Sequence, residues 1–198
     1  MLAVAATEAL ERRTLLSGGT VPASPTFSLS NGIVTVNCDN SGDSVNLTTQ
    51  PVATGTELIV TANSALQVYV LNNNGTAAIT QVDVNGGAGA DSLSIGPGVP
   101  SVNFEGSGGN DTVAAQNSAG DTLVGGDGND SLSVAAGNNV LEGAGGLDTL
   151  IGGSGNDTIA DGFVGNYTQI GIRTVTGTFP PTYTNSPSMV SIVSGSGS

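Results

Sequence analysis

Hydrophobic and polar positions follow two different rhythms along this chain. From Phe27 to Asn85 apolar residues alternate with polar ones in short runs, "GIVTVNC", "DSVNLTT", "TELIVTA", "LQVYVLN" and "AITQVDVN", with Asn, Gly and Pro clusters between them. A period of two with turn punctuation predicts about six β-strands, joined by connections of no fixed length. From Gly86 the rhythm becomes nine. The blocks "GGAGADSLS" at 86–94, "GSGGNDTVA" at 106–114, "GGDGNDSLS" at 125–133, "GAGGLDTLI" at 143–151 and "GGSGNDTIA" at 152–160 align on their aspartates. Weaker copies, "AGDTLV" at 119–124 and "GNNVLE" at 137–142, fill the gaps.

A nonapeptide with one obligatory apolar residue reads as six turn residues and a three-residue strand. Two such units make one coil of about eighteen residues. Alternate apolar residues then face each other across the coil. Leu93, Val113, Leu132 and Leu150 are expected to stack on one sheet, and Phe104, Leu123, Leu141 and Ile159 on the other. Each buried side chain contributes roughly 1.5–3 kcal/mol, so the core is thin but continuous. Strands ~4.8 Å apart make four coils about 20 Å long, a stub that requires caps.

The same phase sorts the aspartates. Asp91, Asp111, Asp130 and Asp148 fall on one side, at spacings of 20, 19 and 18. Asp121 and Asp157 flank Asn139 on the other, where "QNSAGD" and "VAAGNN" have lost most glycines. The extra residues of the first two coils are expected in that degenerate side, for instance in "GPGVPS". Ser107 and Ala144 stand where the repeat otherwise has its second glycine.

Charge then narrows the chemistry. The net charge is −13, and only Arg12, Arg13 and Arg173 oppose 16 acids. Such a surface repels nucleic acid and offers no basic patch to anionic lipid. No window of 18 apolar residues exists to span a membrane. With 31 glycines and few aromatics the composition also suits a disordered chain, but the 37% hydrophobic content is gathered in strand-like runs. Neither lysine nor histidine occurs. That excludes a P-loop, Ser-His-Asp and Cys-His catalysis, and His-based zinc sites. Cys38 cannot form an internal disulfide and has no histidine to activate it.

Remaining motifs have plain explanations. "NDT" at 110–112 and 156–158 and "NDS" at 129–131 match the glycosylation pattern because Asn is a good turn residue before Asp. "DGNDSL" from Asp127 begins like an EF-hand loop, but Leu132 occupies the required glycine. Glu105 and Glu142 follow apolar positions on one sheet and point outward. They are the candidate acid and base for a polysaccharide-acting enzyme, with solvated strand residues as the simpler reading. Outward Thr112, Ser131 and Thr149, or Thr122 and Thr158, could form a hydroxyl ladder like that of ice-binding solenoids, though strand propensity accounts for them.

G-G-x-G-x-D-x-U-x, with U a large apolar residue, is the RTX signature, and residues 86–160 resemble that family of calcium-binding parallel β-rolls of exported bacterial proteins. The resemblance implies an all-β fold, a right-handed parallel β-roll. The irregular region upstream would serve as entry and cap, with "GIVTV...GDSVNL" as a leading hairpin. It implies calcium held between stacked Gly/Asp loops, with Gly86, Ala88, Asp91, Gly106, Gly108, Asp111, Gly125, Asp127, Asp130, Gly143, Gly145, Asp148 and Asp157 as site residues. Calcium takes six to eight oxygens from carboxylates and carbonyls, which such loops can supply. About three sites are expected, in the gaps of the four-aspartate side. Asp130 would serve two gaps, and Asp127 would be a peripheral charge.

Four segments follow: a targeting-like piece at 1–25, an irregular β region at 26–85, the roll at 86–160, and closing strands with a tail at 161–198. "LERRTLLSG", Leu10–Gly18, resembles the Leu-Glu-Pro-Arg-x-Leu-Leu-Ser element of exported bacterial proteins, with Arg12 in place of the proline. "MLAVAATEAL" itself is not expected to be a cleaved signal peptide, since Glu8 interrupts it. The expected function is a secreted or cell-surface structural or adhesive module without catalysis. Its partners would be calcium and extracellular polysaccharide or cell-surface components. The rivals are a carbohydrate-acting enzyme and a calcium-free solenoid.

Overall fold

The computed structural model describes residues 25–53, 55–71, 78–160 and 168–169. The helix-compatible stretch and export-like element at 1–24, and most of the closing strands and tail after 160, lie outside the described residues. Every described element is a strand, and together they form a β-solenoid of about four turns.

Two sheets face each other. Sheet A contains β1 (Thr26–Ser30), β2 (Ile33–Asn37), β6 (Gln81–Gly87), β8 (Ser101–Gly108), β10 (Thr122–Asp127), β12 (Val140–Gly145) and β14 (Thr158–Ala160), in that order. Sheet B contains β3 (Ser44–Val52), β4 (Gly55–Ala62), β5 (Ala65–Val70), β7 (Ser92–Ile95), β9 (Thr112–Ala115), β11 (Ser131–Val134), β13 (Thr149–Ile151) and β15 (Thr168–Gln169), ordered β15-β13-β11-β9-β7-β3-β4-β5. The chain crosses from A to B and back once per coil, so the strands of successive coils run parallel within each sheet.

The apolar stacks expected from the nonapeptide period are present. Leu93, Val113, Leu132 and Leu150 are register partners down sheet B. Phe104, Leu123, Leu141 and Ile159 are partners down sheet A. Both rows point inward, because alternate residues of a strand face opposite sides. A row spaced one strand apart therefore buries a continuous seam. Leu123, Leu132 and Leu141 have no exposed surface.

The parallel stack begins upstream of the first nonapeptide. β2 pairs parallel with β6, and β3 pairs parallel with β7. "GIVTV...GDSVNL" is therefore a coil and not the hairpin expected: its two strands belong to opposite sheets. The antiparallel elements lie one step further out. β1 folds back on β2 through Asn31 and Gly32, both at positive φ, and β4 and β5 extend β3 as a meander. Val34 and Val36 of β2 and Leu58 and Val60 of β4 are fully buried, carrying the core through the upstream coil into the meander.

Coil length varies on one edge only. The loops that join sheet A to sheet B, here edge 1, keep a constant length from Ser107 to Thr112, Gly126 to Ser131 and Ala144 to Thr149. On the return side, edge 2, the links Ile95 to Val102, Ala115 to Asp121 and Val134 to Asn139 are each one residue shorter than the last. Insertion is confined to edge 2, so the aspartates of edge 1 stay in register. Leu132→Ala should lower unfolding free energy by about 2–5 kcal/mol, since it opens a cavity in a seam with no spare packing. Denaturant unfolding with a shift in midpoint at constant slope checks this.

Candidate functional site: the buried carboxylate column

Each edge 1 loop ends in an aspartate at the mouth of a sheet B strand, where the chain turns inward. Asp91, Asp111, Asp130 and Asp148 are therefore stacked one per coil, each at most 4% exposed. Asp43 heads the column from the coil upstream and is equally buried. Main-chain amides link them. Asp43 N–H donates to Asp91 Oδ1 (2.7 Å), Asp91 N–H to Asp111 Oδ1 (2.7 Å), Asp111 N–H to Asp130 Oδ1 (2.8 Å) and Asp130 N–H to Asp148 Oδ1 (2.8 Å).

That rail satisfies one oxygen of each carboxylate. The other, Oδ2 of Asp91, Asp111, Asp130 and Asp148, is buried with no hydrogen-bond partner. An unpaired buried charge of this kind costs several kcal/mol unless a counter-ion or proton joins it. Asp43 differs, because Oδ2 accepts from Asp39 N–H (3.1 Å) and Oδ1 from the Asn63 amide. The upstream end of the column is closed by protein donors.

The glycines make room for the free oxygens. A Cβ on Gly86, Gly106, Gly125 or Gly143 would collide with Oδ2 of Asp91, Asp111, Asp130 or Asp148 respectively. A Cβ on Gly106 would also strike the Gly125 carbonyl oxygen. Carboxylate and carbonyl oxygens thus share a cradle between neighbouring coils. Further out, Gly128, at φ 147°, lies against Gly109, and a Cβ there would run into the Gly109 carbonyl. Ser107 and Ala144, standing in for the second glycine, still adopt positive φ of 72° and 71°. The stacked neighbours hold these residues in a conformation that costs a side chain energy.

Gly108, Asp127 and Gly145 are register partners on the outer rim, and Ala88 is exposed in the loop above. Asp127 is exposed, and its Oδ1 faces the Gly145 position. Asp157 is on edge 2 with Asp121 and Asn139, away from the four-aspartate column. Glu105 and Glu142 are exposed on sheet A with β10 between their strands, so their backbones stand ~10 Å apart. Asp43 and Asn63 were not among the candidates. The signal for Asp43 was available, since "GDSV" at 42–45 repeats the "ADSL" of 90–93.

The donor set can be tested against calcium. Among the described residues no three His, Cys, Asp or Glu side chains cluster about one point. An ion between coils would therefore draw on main-chain carbonyls as well as carboxylates, the hard-oxygen mixture calcium takes. The unpaired Oδ2 atoms fit such an ion. Cys38 occupies the first-glycine position of the upstream coil. Burial, with Asp43, Asp91 and Asp39 nearby, pushes its thiol up to about 12, so it offers no thiolate.

Comparison with known proteins agrees on the repeats. The family described as RTX calcium-binding nonapeptide repeat (4 copies) matches residues 116–150 and 124–159. The span 116–159 thus consists of RTX calcium-binding repeats. Asp91 and Asp111 lie upstream of it and continue the same column. No curated protein and no solved structure matches the chain.

Protonation reports on this column. Burial, then repulsion from neighbouring aspartates, raises Asp91 and Asp130 from 3.8 to about 6. Burial also raises Asp111 and Asp121. The unfolded chain ionises near 3.8, below the folded value, so ion-free stability is full beneath that pH and is lost as pH rises through 6. Calcium needs the ionised form. In chelator the melting temperature should fall from pH 4 to pH 7, and in calcium the added stability should appear over the same interval; parallel melting curves at a series of pH values check both. Gly128→Ala should destabilise the roll with or without calcium by about 1–3 kcal/mol, through strain and collision, read by thermal unfolding.

Proposed function

We propose that edge 1 binds calcium ions in the gaps between stacked loops, and that the chain is a non-catalytic structural or adhesive module of an exported protein. The observation that carries this is the column of four buried carboxylates, each with one oxygen that no protein group satisfies. Asp91, Asp111, Asp130 and Asp148 would supply charge, and the glycine carbonyls beside them the neutral oxygens. Gly86, Gly106, Gly125 and Gly143 keep that space free. Three gaps separate the four loops. Asp127 adds negative potential at the rim, attracting cations without itself being buried.

A structural role follows from the energetics. The column places like charges one strand apart in a poorly solvated seam, and calcium removes that penalty only in the folded state. With a dissociation constant near ~1 mM, typical of extracellular modules, ~10 mM calcium stabilises each site by about 1.4 kcal/mol. Three sites then add about 4 kcal/mol, a large share of the stability of a typical domain. Low calcium inside a cell and high calcium outside would couple folding to export. The resemblance of "LERRTLLSG" to an element of exported proteins supports the same location, and no described helix is long and apolar enough to cross a membrane. Extracellular polysaccharide or a cell surface is the partner class that fits an acidic, calcium-loaded module.

A calcium-free solenoid is the second reading, because the rail of N–H to Oδ1 bonds ties the coils without any ion. Titration separates the two. Circular dichroism and thermal melting should show a less ordered, less stable chain in chelator, and order restored by millimolar calcium; superimposable curves in both conditions would sink the calcium reading. Asp130→Ala, which removes a carboxylate from two gaps, should reduce the calcium-induced rise in melting temperature more than Asp91→Ala or Asp148→Ala.

A further inference from the structure

Edge 2 carries a rail of the same form made from different groups. Val102 N–H donates to Asp121 Oδ1 (2.9 Å), Asp121 N–H to Asn139 Oδ1 (2.9 Å) and Asn139 N–H to Asp157 Oδ1 (3.0 Å). Along it a carboxylate alternates with a neutral residue. Among the described residues no gap on edge 2 contains two carboxylates, whereas each of the three gaps from Asp91 to Asp148 on edge 1 does.

The second difference is a side-chain donor. Asn117 Nδ2 donates to Asp121 Oδ1 (3.0 Å) and reaches the Val99 and Pro100 carbonyls of the preceding coil (3.5 and 3.4 Å). Asn139 Nδ2 donates to Asp157 Oδ1 of the following coil (2.8 Å) and to the Ala136 carbonyl (3.3 Å). Both side chains are buried, at 2% and 1% exposure. Each NH₂ group is thus set among a carboxylate and carbonyl oxygens from two successive coils, the company a bridging cation would keep. On edge 1 the four carboxylates from Asp91 to Asp148 have a main-chain donor on Oδ1 and nothing on Oδ2. Edge 2 is not free of unpaired atoms: Asn117 Oδ1, Asp121 Oδ2 and Asp157 Oδ2 are buried without partners. The two carboxylate oxygens, however, belong to coils separated by the Asn139 coil.

We infer that edge 2 is locked by amides in place of calcium, with Asn139 keeping Asp121 and Asp157 apart, so that the ions stay on edge 1, and Asn117 tying Asp121 to the coil before it. An amide hydrogen-bonds to the same oxygens as a cation but brings no charge and does not dissociate. When calcium is withdrawn edge 2 keeps both its rail and its side-chain amides, whereas edge 1 keeps its rail but loses the charge compensation at Oδ2. The electrostatic argument is one of counting. A divalent ion between two carboxylates is neutralised, while on edge 2 it would meet one carboxylate and displace a neutral donor already in place. The inference rests on the calcium reading of edge 1.

Ion positions and stoichiometry test it. Anomalous scattering from crystals of the whole chain grown in calcium should place ions on edge 1 alone. Calorimetric titration of Asn139→Asp, which joins Asp121 and Asp157 into an unbroken column, should count at least one more ion than the unaltered chain, and its melting temperature in chelator should fall. Asn117→Ala should leave the ion count unchanged and speed hydrogen exchange at 116–121 in chelator. Ions on both edges of the unaltered chain overturn the inference and leave the calcium reading standing. Ions on neither edge overturn the calcium reading, and the inference with it. An unchanged count in Asn139→Asp also overturns the inference; if that variant does not fold, the ion positions in the unaltered chain decide.

Discussion

A buried carboxylate has two oxygens, and the main chain of this fold can satisfy only one. The aspartate N–H of one coil donates to the Oδ1 of the next, and that bond sets the stacking distance and the register of edge 1. It also forces Oδ2 inward, where only glycine leaves room for it. Coil spacing, glycine placement and the demand for a counter-ion are therefore one constraint seen at three positions. The apolar seam alone does not impose it, since Leu132 stacks between Val113 and Leu150 whatever the loop contains.

The two edges answer this constraint differently. Edge 1 keeps a fixed loop length and stacks its acids without interruption. Edge 2 absorbs length changes and interposes Asn139 between Asp121 and Asp157, so these two carboxylates do not share a gap. A roll with ions on both sides would be rigid only when loaded. One that ties a single side by protein groups retains its register in either state, and a returning ion finds its loops already aligned.

Much of this was legible in the sequence because the repeat is short and its apolar position obligatory. Leu93, Val113, Leu132 and Leu150 could be paired from their nine-residue phase alone, as could the row through Phe104 and Ile159. The upstream coil was legible only at "GDSV", 42–45. Cys38, Asp39 and Asn40 carry none of the glycines that mark a loop, and the β4–β5 meander separates Asp43 from Asp91 by 48 residues. Asn117 was hidden for another reason. Followed by Ser118, Ala119 and Gly120, asparagine reads as an ordinary turn residue, and nothing local says that its amide is buried against the coil above. Ser107 and Ala144 reverse the case: the sequence suggests a spoiled turn, but stacking on Gly126 keeps the backbone at positive φ. Repeat context outweighs residue preference there.

The switch from parallel to antiparallel pairing at β1 and β4 gives the roll a direction. At that end the outermost strands run against the coil beneath them, and a nonapeptide laid on them would find its loop on the wrong edge. At the other end β15 still pairs parallel with β13 and β14 with β12, and among the described residues Asp148 and Asp157 are the last rungs of their rails. Duplication of the repeat can therefore lengthen this molecule within its parallel stretch and not at the antiparallel end, and each added coil would inherit both rails without disturbing those already built.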